Sequence, residues 1–464
     1  MMRPSNDIED RSAKDRIEAL ETREADVEAP PGRLIRQGTF ASFRFRDYRL
    51  FWVGSLLSNT GSWMQNYALA VVVYSFRSSE LDLGLVNFVA GLPVLFLALP
   101  GGALADRIDR RRLLMVAQVV LMFQALALGV LYATGRLSSD NPVLSLVYVA
   151  VLGLVAGVAA ALTFPAWQAM VPDLVPRDHL LNGIALNSAQ FQTARLLGPL
   201  VASALLLLGS GMAEVFYANS ASFLFVIAAL AAIRLAHAQT ETLSARRESG
   251  GTWKTLTAGL RYARSNRLVG VLIVSTAIMT VFGMPLLMLL PAVTDKALGG
   301  GALEVSYLMA ANGFGALIGA LVVASLPKSV RRERMIPFAL VAFGIILIAF
   351  SLSRTFVISI ALSVLAGAGL LAVNSLTNTS IQAAAPPELR GRVMALFVMS
   401  FMGLMPLSSL VFGPLGEVIG PARAVLGGAL VLTAWGLLLV ARPGMLPAQS
   451  AEEDAAPDIA GRRG

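Results

Sequence analysis

The chain of 464 residues contains no cysteine and only two histidines, His179 and His237. The absence of cysteine excludes disulfides, zinc–thiolate sites and iron–sulfur clusters, and two histidines are too few to predict a metal site. Charged residues are also scarce, at 14%, against about 25% in a typical soluble domain. The sequence has no G-x-x-x-x-G-K-[ST] phosphate loop. We therefore expect no cofactor, no metal and no direct use of ATP.

Hydrophobic residues make up 56% of the chain, and they arrive in runs of about 20, the length at which a helix crosses a bilayer. The first 30 residues are a charged mixture without an apolar stretch, so we expect no signal peptide. Because a segment in lipid must satisfy its own backbone, we predict an all-α membrane protein with twelve transmembrane helices. The predicted spans are 50–76, 83–105, 113–135, 143–164, 181–209, 213–234, 268–291, 305–327, 335–353, 357–382, 393–416 and 422–440.

Lysine and arginine residues are unevenly distributed between the connections of these spans. If the N-terminus is cytoplasmic, eighteen lie in cytoplasmic connections and five in outer ones, namely Arg77, Arg136, Lys296, Arg354 and Arg423. Because cytoplasmic loops are enriched in cations, this bias predicts that both termini are cytoplasmic. The bias also accounts for the net charge of +8 through topology and contacts with lipid headgroups, so no nucleic-acid partner is expected.

A long polar connection near the middle divides the chain into two parts of similar length. We predict a cytoplasmic tail and interfacial segment at 1–47, six-helix bundles at 48–235 and 268–440, a central cytoplasmic loop at 236–267 and a cytoplasmic tail at 441–464. The two parts echo each other, since Pro176-Arg-Asp178 and Pro386-Pro-Glu388 each precede the fifth span of their part. Two parallel six-helix pseudo-repeats are a recurrent plan among transporters.

The connection between spans two and three reads Gly101-Gly-Ala-Leu-Ala-Asp106-Arg107-Ile-Asp-Arg110-Arg111-Arg112. It resembles the G-x-x-x-D-R-x-G-R-R loop of the major facilitator superfamily, with Asp109 in place of the second glycine. The resemblance implies the fold of that superfamily and a gating role on the cytoplasmic side. The Asp106 carboxylate would meet the positive N-terminal end of span eleven. The gating residues implied are Gly102, Asp106, Arg107, Arg110 and Arg111.

Four further segments narrow the resemblance. They are Ser58-Asn-Thr-Gly-Ser-Trp63-Met, Pro172-Asp-Leu-Val-Pro176, Arg195-Leu-Leu-Gly-Pro199 and Leu389-Arg-Gly-Arg392-Val. Together they resemble the branch that contains the bacterial enterobactin exporter and related secretion-type efflux proteins. This resemblance implies a monomeric secondary transporter of a bacterial inner membrane. It would export small amphipathic molecules, of siderophore or drug type, by alternating access.

Polar residues inside the spans are the candidates for substrate binding. Arg195 is the one ionisable residue deep in a span, and such residues are functional candidates by default. The resemblance implies that spans one and ten border a central cavity. The alternative for every candidate is an interhelical hydrogen bond, typically worth about 0.6 kcal/mol. The candidates are Asn59, Trp63, Gln65, Asn66, Ser188, Gln192, Arg195, Asn374 and Asn378.

No aspartate or glutamate is predicted well inside a span, so the spans offer no buried carboxylate for proton coupling. A coupling proton would then be carried by an acid at a membrane boundary or by the substrate. Other functions stay open: a nutrient uptake carrier, a lipid flippase, an intramembrane enzyme or a membrane sensor. An enzyme would need positioned acids, histidines or a metal, which the spans do not offer, and no signalling domain is apparent. Transport is therefore the favoured function.

Overall fold

The computed structural model of this protein describes residues 40–105, 108–233, 252–327 and 330–446. Every regular element within these ranges is helical. Ten of the helices are long and apolar enough to cross a membrane by length and composition. The prediction of an all-helical, multi-pass membrane protein is therefore confirmed.

The long helices fall into two sets of six, with a shorter helix between them. The first set comprises α1 (Arg46–Arg77), α2 (Glu80–Ala105), α3 (Arg110–Ala133), α4 (Pro142–Leu174), α5 (Leu180–Leu207) and α6 (Met212–Ala232), and the short helix is α7 (Thr252–Ser265). The second set comprises α8 (Arg267–Leu298), α9 (Ala302–Ser325), α10 (Arg332–Leu352), α11 (Phe356–Ala384), α12 (Pro387–Val398 continuing through Met405–Ile419) and α13 (Pro421–Ala441).

Each predicted span overlaps one of the twelve long helices, but α1 and α5 do not meet the requirement that the other ten meet. Both contain many polar residues, which lower their apolar character. The fourth span was predicted to end at 164, whereas α4 continues to Leu174 through Pro165 and Pro172. A proline removes one helix hydrogen bond, yet Ala166, Met170 and Val171 are buried in a hydrophobic core that holds this extension.

Two prolines mark departures from regular α-helix. α8 and α12 each contain a π-helical turn, at Met279–Gly283 and Met399–Gly403, and each turn is closely followed by Pro285 or Pro406 in the next α-helical segment. A proline ring clashes with the carbonyl four residues earlier in an α-helix. The wider π turn relieves this clash, and such turns occur often at functional sites.

The same pairs of helices pack together in both sets. In the first set α1 contacts α5 and α6, α2 contacts α4, and α3 contacts α4 and α6. In the second set α8 contacts α12 and α13, α9 contacts α11, and α10 contacts α11 and α13. Between the sets, the main contacts join α2 to α12 and α5 to α9.

The α2–α12 contact is a close antiparallel crossing. A Cβ atom added to Gly84 would lie 2.8 Å from the Cα atom of Gly413, so the two backbones touch where both residues are glycine. Further along, Gly91 lies against Pro406, and Gly416 lies against Glu80 at the start of α2. The N-terminal end of α2 therefore packs against the C-terminal end of α12.

The central loop contains the short helix α7. The Tyr262 hydroxyl donates a hydrogen bond of 3.2 Å to the Ala384 carbonyl at the end of α11. Gly259 lies against the backbone carbonyl of Arg392 in α12. α7 therefore packs against the second set of helices.

Candidate functional site

A cavity of about 380 Å³ lies among α1, α3, α4, α5 and α6, inside the first set of helices. In the part of the chain that the structure describes, Met402 in the π turn of α12 is the one lining residue from the second set. None of the lining residues is charged. They are Ser58, Asn59, Ser62, Gln118, Leu121, Ala160, Thr163, Phe164, Trp167, Gln168, Asn187, Ser188, Gln190, Phe191, Gln192, Phe223 and Met402.

Side-chain amides give this cavity its polarity. Gln190, Gln192 and Gln118 are 1%, 8% and 7% exposed. One buried amide atom of each, and the Oδ1 atom of Asn187, has no hydrogen-bond partner among the described residues. Leaving a buried polar group unsatisfied costs about 1–3 kcal/mol. These four atoms are inaccessible to solvent, so they lie within the wall of the cavity and not on its inner surface.

Aromatic rings form the apolar part of the cavity wall. They come from three helices: Phe164 and Trp167 in α4, Phe191 in α5 and Phe223 in α6. The Nδ2 atom of Asn59 in α1 donates a hydrogen bond of 3.4 Å to the Oε1 atom of Gln190. That bond orients the Gln190 amide and leaves its Nε2 atom without a partner. A solute in this cavity would meet aromatic faces and amide groups together.

Three of the predicted substrate-binding residues line the cavity: Asn59, Ser188 and Gln192. The Ser188 hydroxyl donates to the Ile184 carbonyl of its own helix at 3.0 Å. Asn66 is exposed and does not line the cavity. Asn59 and Asn66 lie on the same face of α1, yet only Asn59 lines the cavity. A shared helix face therefore did not predict which residues line it.

Gln65 takes part in a buried network instead. Its Nε2 atom donates to Oε1 of Gln124 in α3 at 3.1 Å, and its Oε1 atom accepts from Nδ2 of Asn219 in α6 at 2.9 Å. Ser222 extends the network by donating to Asn219. For Gln65 the geometry matches the interhelical alternative, since both ends of its amide are already used.

Arg195 connects the two sets of helices. Its guanidinium donates to Oδ1 of Asn312 in α9 at 2.5 Å, and its Cζ atom lies 5.3 Å from the centre of the Trp63 ring. Trp63 in turn meets the Phe191 ring edge to face at 6.0 Å. Arg195 and Trp63 therefore lie behind the cavity wall, separated from its interior by Phe191.

The two candidates in α11 also lie outside the cavity lining. Oδ1 of Asn378 accepts a hydrogen bond of 2.7 Å from Gln382. The Nδ2 atom of Asn374 is buried and has no partner in the described ranges. The sequence analysis did not predict Gln118, Asn187 or Gln190 as lining residues. Gln118 could have been predicted, because it is an amide side chain within the apolar α3.

The predicted gating loop is described in part. Asp106 and Arg107 lie outside the described residues, and Gly102 falls in the last turn of α2. Arg110 forms a salt bridge of 2.8 Å with Asp173 of α4, and Arg111 donates at 2.7 Å to the Ala231 carbonyl of α6. Both arginines thus bind within the first set of helices, and a cation at a helix C-terminus is favourable.

Asp109 replaces the usual glycine of this loop and begins α3. Its carboxylate accepts a hydrogen bond of 2.8 Å from the Arg112 backbone amide. An aspartate at the first position before a helix satisfies one of the free amides there. Asp109 therefore caps the N-terminus of α3.

At the opposite end of the bundle, charged and polar groups join the two sets. We call the region of the α1–α2, α8–α9 and α12–α13 connections the tied end. Lys296 Nζ lies 2.8 Å from Oε1 of Glu80, which is fully buried, and the Tyr74 hydroxyl donates to Asp295 at 2.8 Å. Glu417 accepts from Ser79 Oγ at 2.9 Å and from the Glu80 amide at 3.0 Å.

The Glu417 carboxylate therefore stabilises the N-terminus of α2 from the C-terminal end of α12. The partial positive charge of a helix N-terminus favours an anion at this position. The sequence missed this contact because Glu80 and Asp82 were placed before the second span, whereas α2 begins at Glu80 and both side chains are fully buried.

The comparison with known families agrees with this architecture. Apolar helices that surround an uncharged polar cavity fit the architecture of a membrane transporter. A major facilitator family described as transmembrane secretion effectors matches residues 37–459, almost the whole chain. The chain belongs to this family.

Curated relatives match over most of both chains. A staphyloferrin A transporter of Staphylococcus aureus is 22% identical over 81% of this chain and 91% of the relative. An enterobactin exporter of Escherichia coli O1:K1 is 24% identical over 85% and 91%. A multidrug efflux pump of Mycolicibacterium fortuitum is 24% identical over 84% and 94%.

A solved structure has the same fold. A D-xylose–proton symporter superposes with a TM-score of 0.68 at 12% identity, covering 87% of this chain and 98% of the symporter. At this identity the likeness concerns the fold alone.

Proposed function

We propose that the protein is a secondary transporter that exports small amphipathic molecules across a bacterial inner membrane by alternating access. The uncharged, amide-lined and aromatic cavity inside the helix bundle carries this proposal. The relatives named for staphyloferrin A, enterobactin and multidrug efflux support a cargo of siderophore or drug type. Membership of the secretion-effector family supports transport over catalysis.

The proposal includes twelve spans arranged as two pseudo-repeats, at 48–235 and 268–440. α1 and α5 are counted as spans because their polar residues face the cavity, the Gln65 network and Asn312, where lipid is excluded. The identical pairs of packed helices in the two sets support the repeat. The remaining segments are the tails at 1–47 and 441–464 and the central loop at 236–267.

The uneven distribution of cations supports placing the tied end outside and both termini in the cytoplasm. In that orientation the contacts of Glu80 with Lys296 and of Glu417 with α2 close the outer side of the transporter. The loop with Gly102, Asp106, Arg107, Arg110 and Arg111 would close the cytoplasmic side in the other state. Alternating access then consists of breaking one set of contacts and forming the other.

A coupling proton is part of the proposal. The acids available at the tied end are Glu80, Asp82, Asp295 and Glu417, which face Lys296, Arg77 and Tyr74. Opening of the outer side would expose the fully buried carboxylates of Glu80 and Asp82 to water. The protein would act as a monomer in contact with membrane lipids.

An accumulation assay tests the proposed function. Cells with and without the protein are loaded with a panel of fluorescent dyes and siderophores, and retained solute is measured over time. We expect lower retention of at least one solute in cells that contain the protein. Higher retention would indicate an uptake carrier instead, and equal retention across the panel would refute small-molecule transport. Movement of fluorescent lipid between leaflets tests the flippase alternative separately.

The gating role is tested by Asp106→Asn at matched surface expression. We expect a clear loss of transport, because the amide side chain carries no charge for the N-terminus of α12. Asp140→Asn is the matched control, since Asp140 is an exposed acid in the α3–α4 connection. Equal transport by both variants would remove Asp106 from the mechanism.

A further inference from the structure

We propose that the cavity of the first helix set binds an uncharged aromatic group that carries hydrogen-bonding substituents. This inference rests on the proposed function, because the group would belong to the exported solute. It places the binding site inside the first set of helices, to one side of the contact between the two sets.

Unsatisfied amides are concentrated at this cavity. In the described residues, five asparagine or glutamine side chains have a buried amide atom without a partner, and four of them line the cavity. Gln118 approaches from α3, and Asn187, Gln190 and Gln192 approach from α5. Each amide both donates and accepts hydrogen bonds. A ligand with hydroxyl or amide groups would therefore find hydrogen-bonding side chains in the cavity wall.

The shape and walls of the cavity favour a planar ring. Phe164, Trp167, Phe191 and Phe223 surround the amides, and aromatic pairs gain about 0.5–1.5 kcal/mol beyond the area that they bury. The volume of about 380 Å³ is near the lower end of ligand cavities, which span about 300–1,000 Å³. The site therefore suits one substituted ring, with the rest of a larger solute extending beyond it.

The cavity should bind charged groups poorly. None of the lining residues in the described ranges is charged. The Arg195 guanidinium donates to Asn312 and lies over the Trp63 ring, which in turn contacts Phe191 of the cavity wall. A charged ligand would lose its hydration without gaining an opposite charge. The site should therefore prefer a neutral ring over an anionic or a cationic one.

Three small rings of different charge test this preference on the full-length protein in lipid nanodiscs. Salicylamide is neutral at slightly acidic pH, salicylate is an anion and benzamidine is a cation. Saturation-transfer NMR titrations give the affinity of each. We expect salicylamide to bind at least about tenfold more tightly than either ion, because an unpaired buried charge costs more than an unpaired neutral group.

Two leucine variants test the named amides. Gln190→Leu and Gln192→Leu should each weaken salicylamide binding by about tenfold, since leucine keeps most of the volume and removes the hydrogen bonds. Without ligand, the unfolding temperature of Gln192→Leu should equal or exceed that of the wild type, because an unsatisfied amide is removed. Gln190→Leu also loses the hydrogen bond from Asn59, so its unfolding temperature should be lower than that of Gln192→Leu. Asn87→Leu is the control, because Asn87 lies on α2 outside the cavity and bonds only within its own helix in the described contacts.

The outcomes separate this inference from the proposed function. Three results would overturn the site. They are equal binding of the three rings, unchanged binding by both glutamine variants, and no binding of any ring. In the last case the cavity would hold water alone. Export of solutes by the wild type in the accumulation assay would leave the proposed function intact in each of these cases. Ring binding without movement of any solute would instead refute transport and keep the site.

Discussion

Helices α1 and α5 in the first set and α8 and α12 in the second have matching packing partners, yet they differ in chemistry. α1 and α5 carry the amide residues Asn59, Gln65, Asn66, Asn182, Asn187, Gln190 and Gln192, whereas the stretches 268–294 and 393–416 contain no asparagine or glutamine. α8 and α12 instead contain a π turn with a proline after it.

The comparison shows a division of labour between the two pairs. The α1–α5 pair supplies hydrogen-bonding groups to the cavity, and its helices are regular. The α8–α12 pair contributes Met402 to the lining, and its helices are interrupted at the level of the π turns, where a helix bends most readily. Under the proposed function, we therefore expect recognition of the solute mainly in the first set and bending mainly in the second.

The largest effect is expected at Arg195, the buried charge of the α1–α5 pair. Asn312→Leu removes the partner of the buried Arg195 guanidinium, and we expect a loss of about 3 kcal/mol in the free energy of unfolding. Thermal unfolding in detergent measures it. The double variant with Arg195→Met should recover part of this loss, because no unpaired charge remains. An additive double variant would show that the two side chains do not interact.

The next effect concerns the recognition role. The double variant Gln190→Leu and Gln192→Leu should lower transport of a neutral aromatic solute about 10- to 100-fold, since two hydrogen bonds of about 1 kcal/mol each are lost. Met402→Leu, on the α12 side of the same cavity, should change transport less than about twofold because the volume is nearly conserved. Transport rates in reconstituted vesicles compare the two, and equal losses would abolish the proposed division.

A smaller effect should appear at the π turn of α12. Pro406→Ala restores a backbone amide and favours a straight helix by up to about 3 kcal/mol. We expect the maximal transport rate to fall severalfold while the concentration for half-maximal transport stays constant, because the cavity amides are untouched. A changed half-maximal concentration with a normal rate would place recognition on α12.

The smallest effect is predicted for Asn66→Ala. Asn66 shares a helix stripe with Asn59, but its side chain is exposed and does not line the cavity. Transport and stability should stay within about 0.5 kcal/mol of the wild type, as for most surface substitutions. Asn59→Ala provides the contrast, because it releases the Gln190 amide.

Much of the fold follows from local sequence, since each predicted apolar run overlaps one long helix. The sequence predicted the candidate site less completely than the fold. Ser188, Gln192 and Arg195 share one helix face, but Arg195 meets Asn312, a residue 117 positions away. Local periodicity cannot state which neighbour a helix face will meet. The Glu417–Glu80 contact was missed for the same reason, since 337 positions separate the residues.

An uncharged cavity has an electrical consequence. A membrane potential does work of about 2.3 kcal/mol on each elementary charge per 100 mV. A neutral solute held among amides and aromatic rings carries no charge across that field, so voltage alone cannot drive its export. For a solute that is neutral throughout, any current or voltage dependence in the transport cycle reports movement of the protein's own ionic groups, among them Glu80 and Lys296 at the tied end, or of the coupling proton.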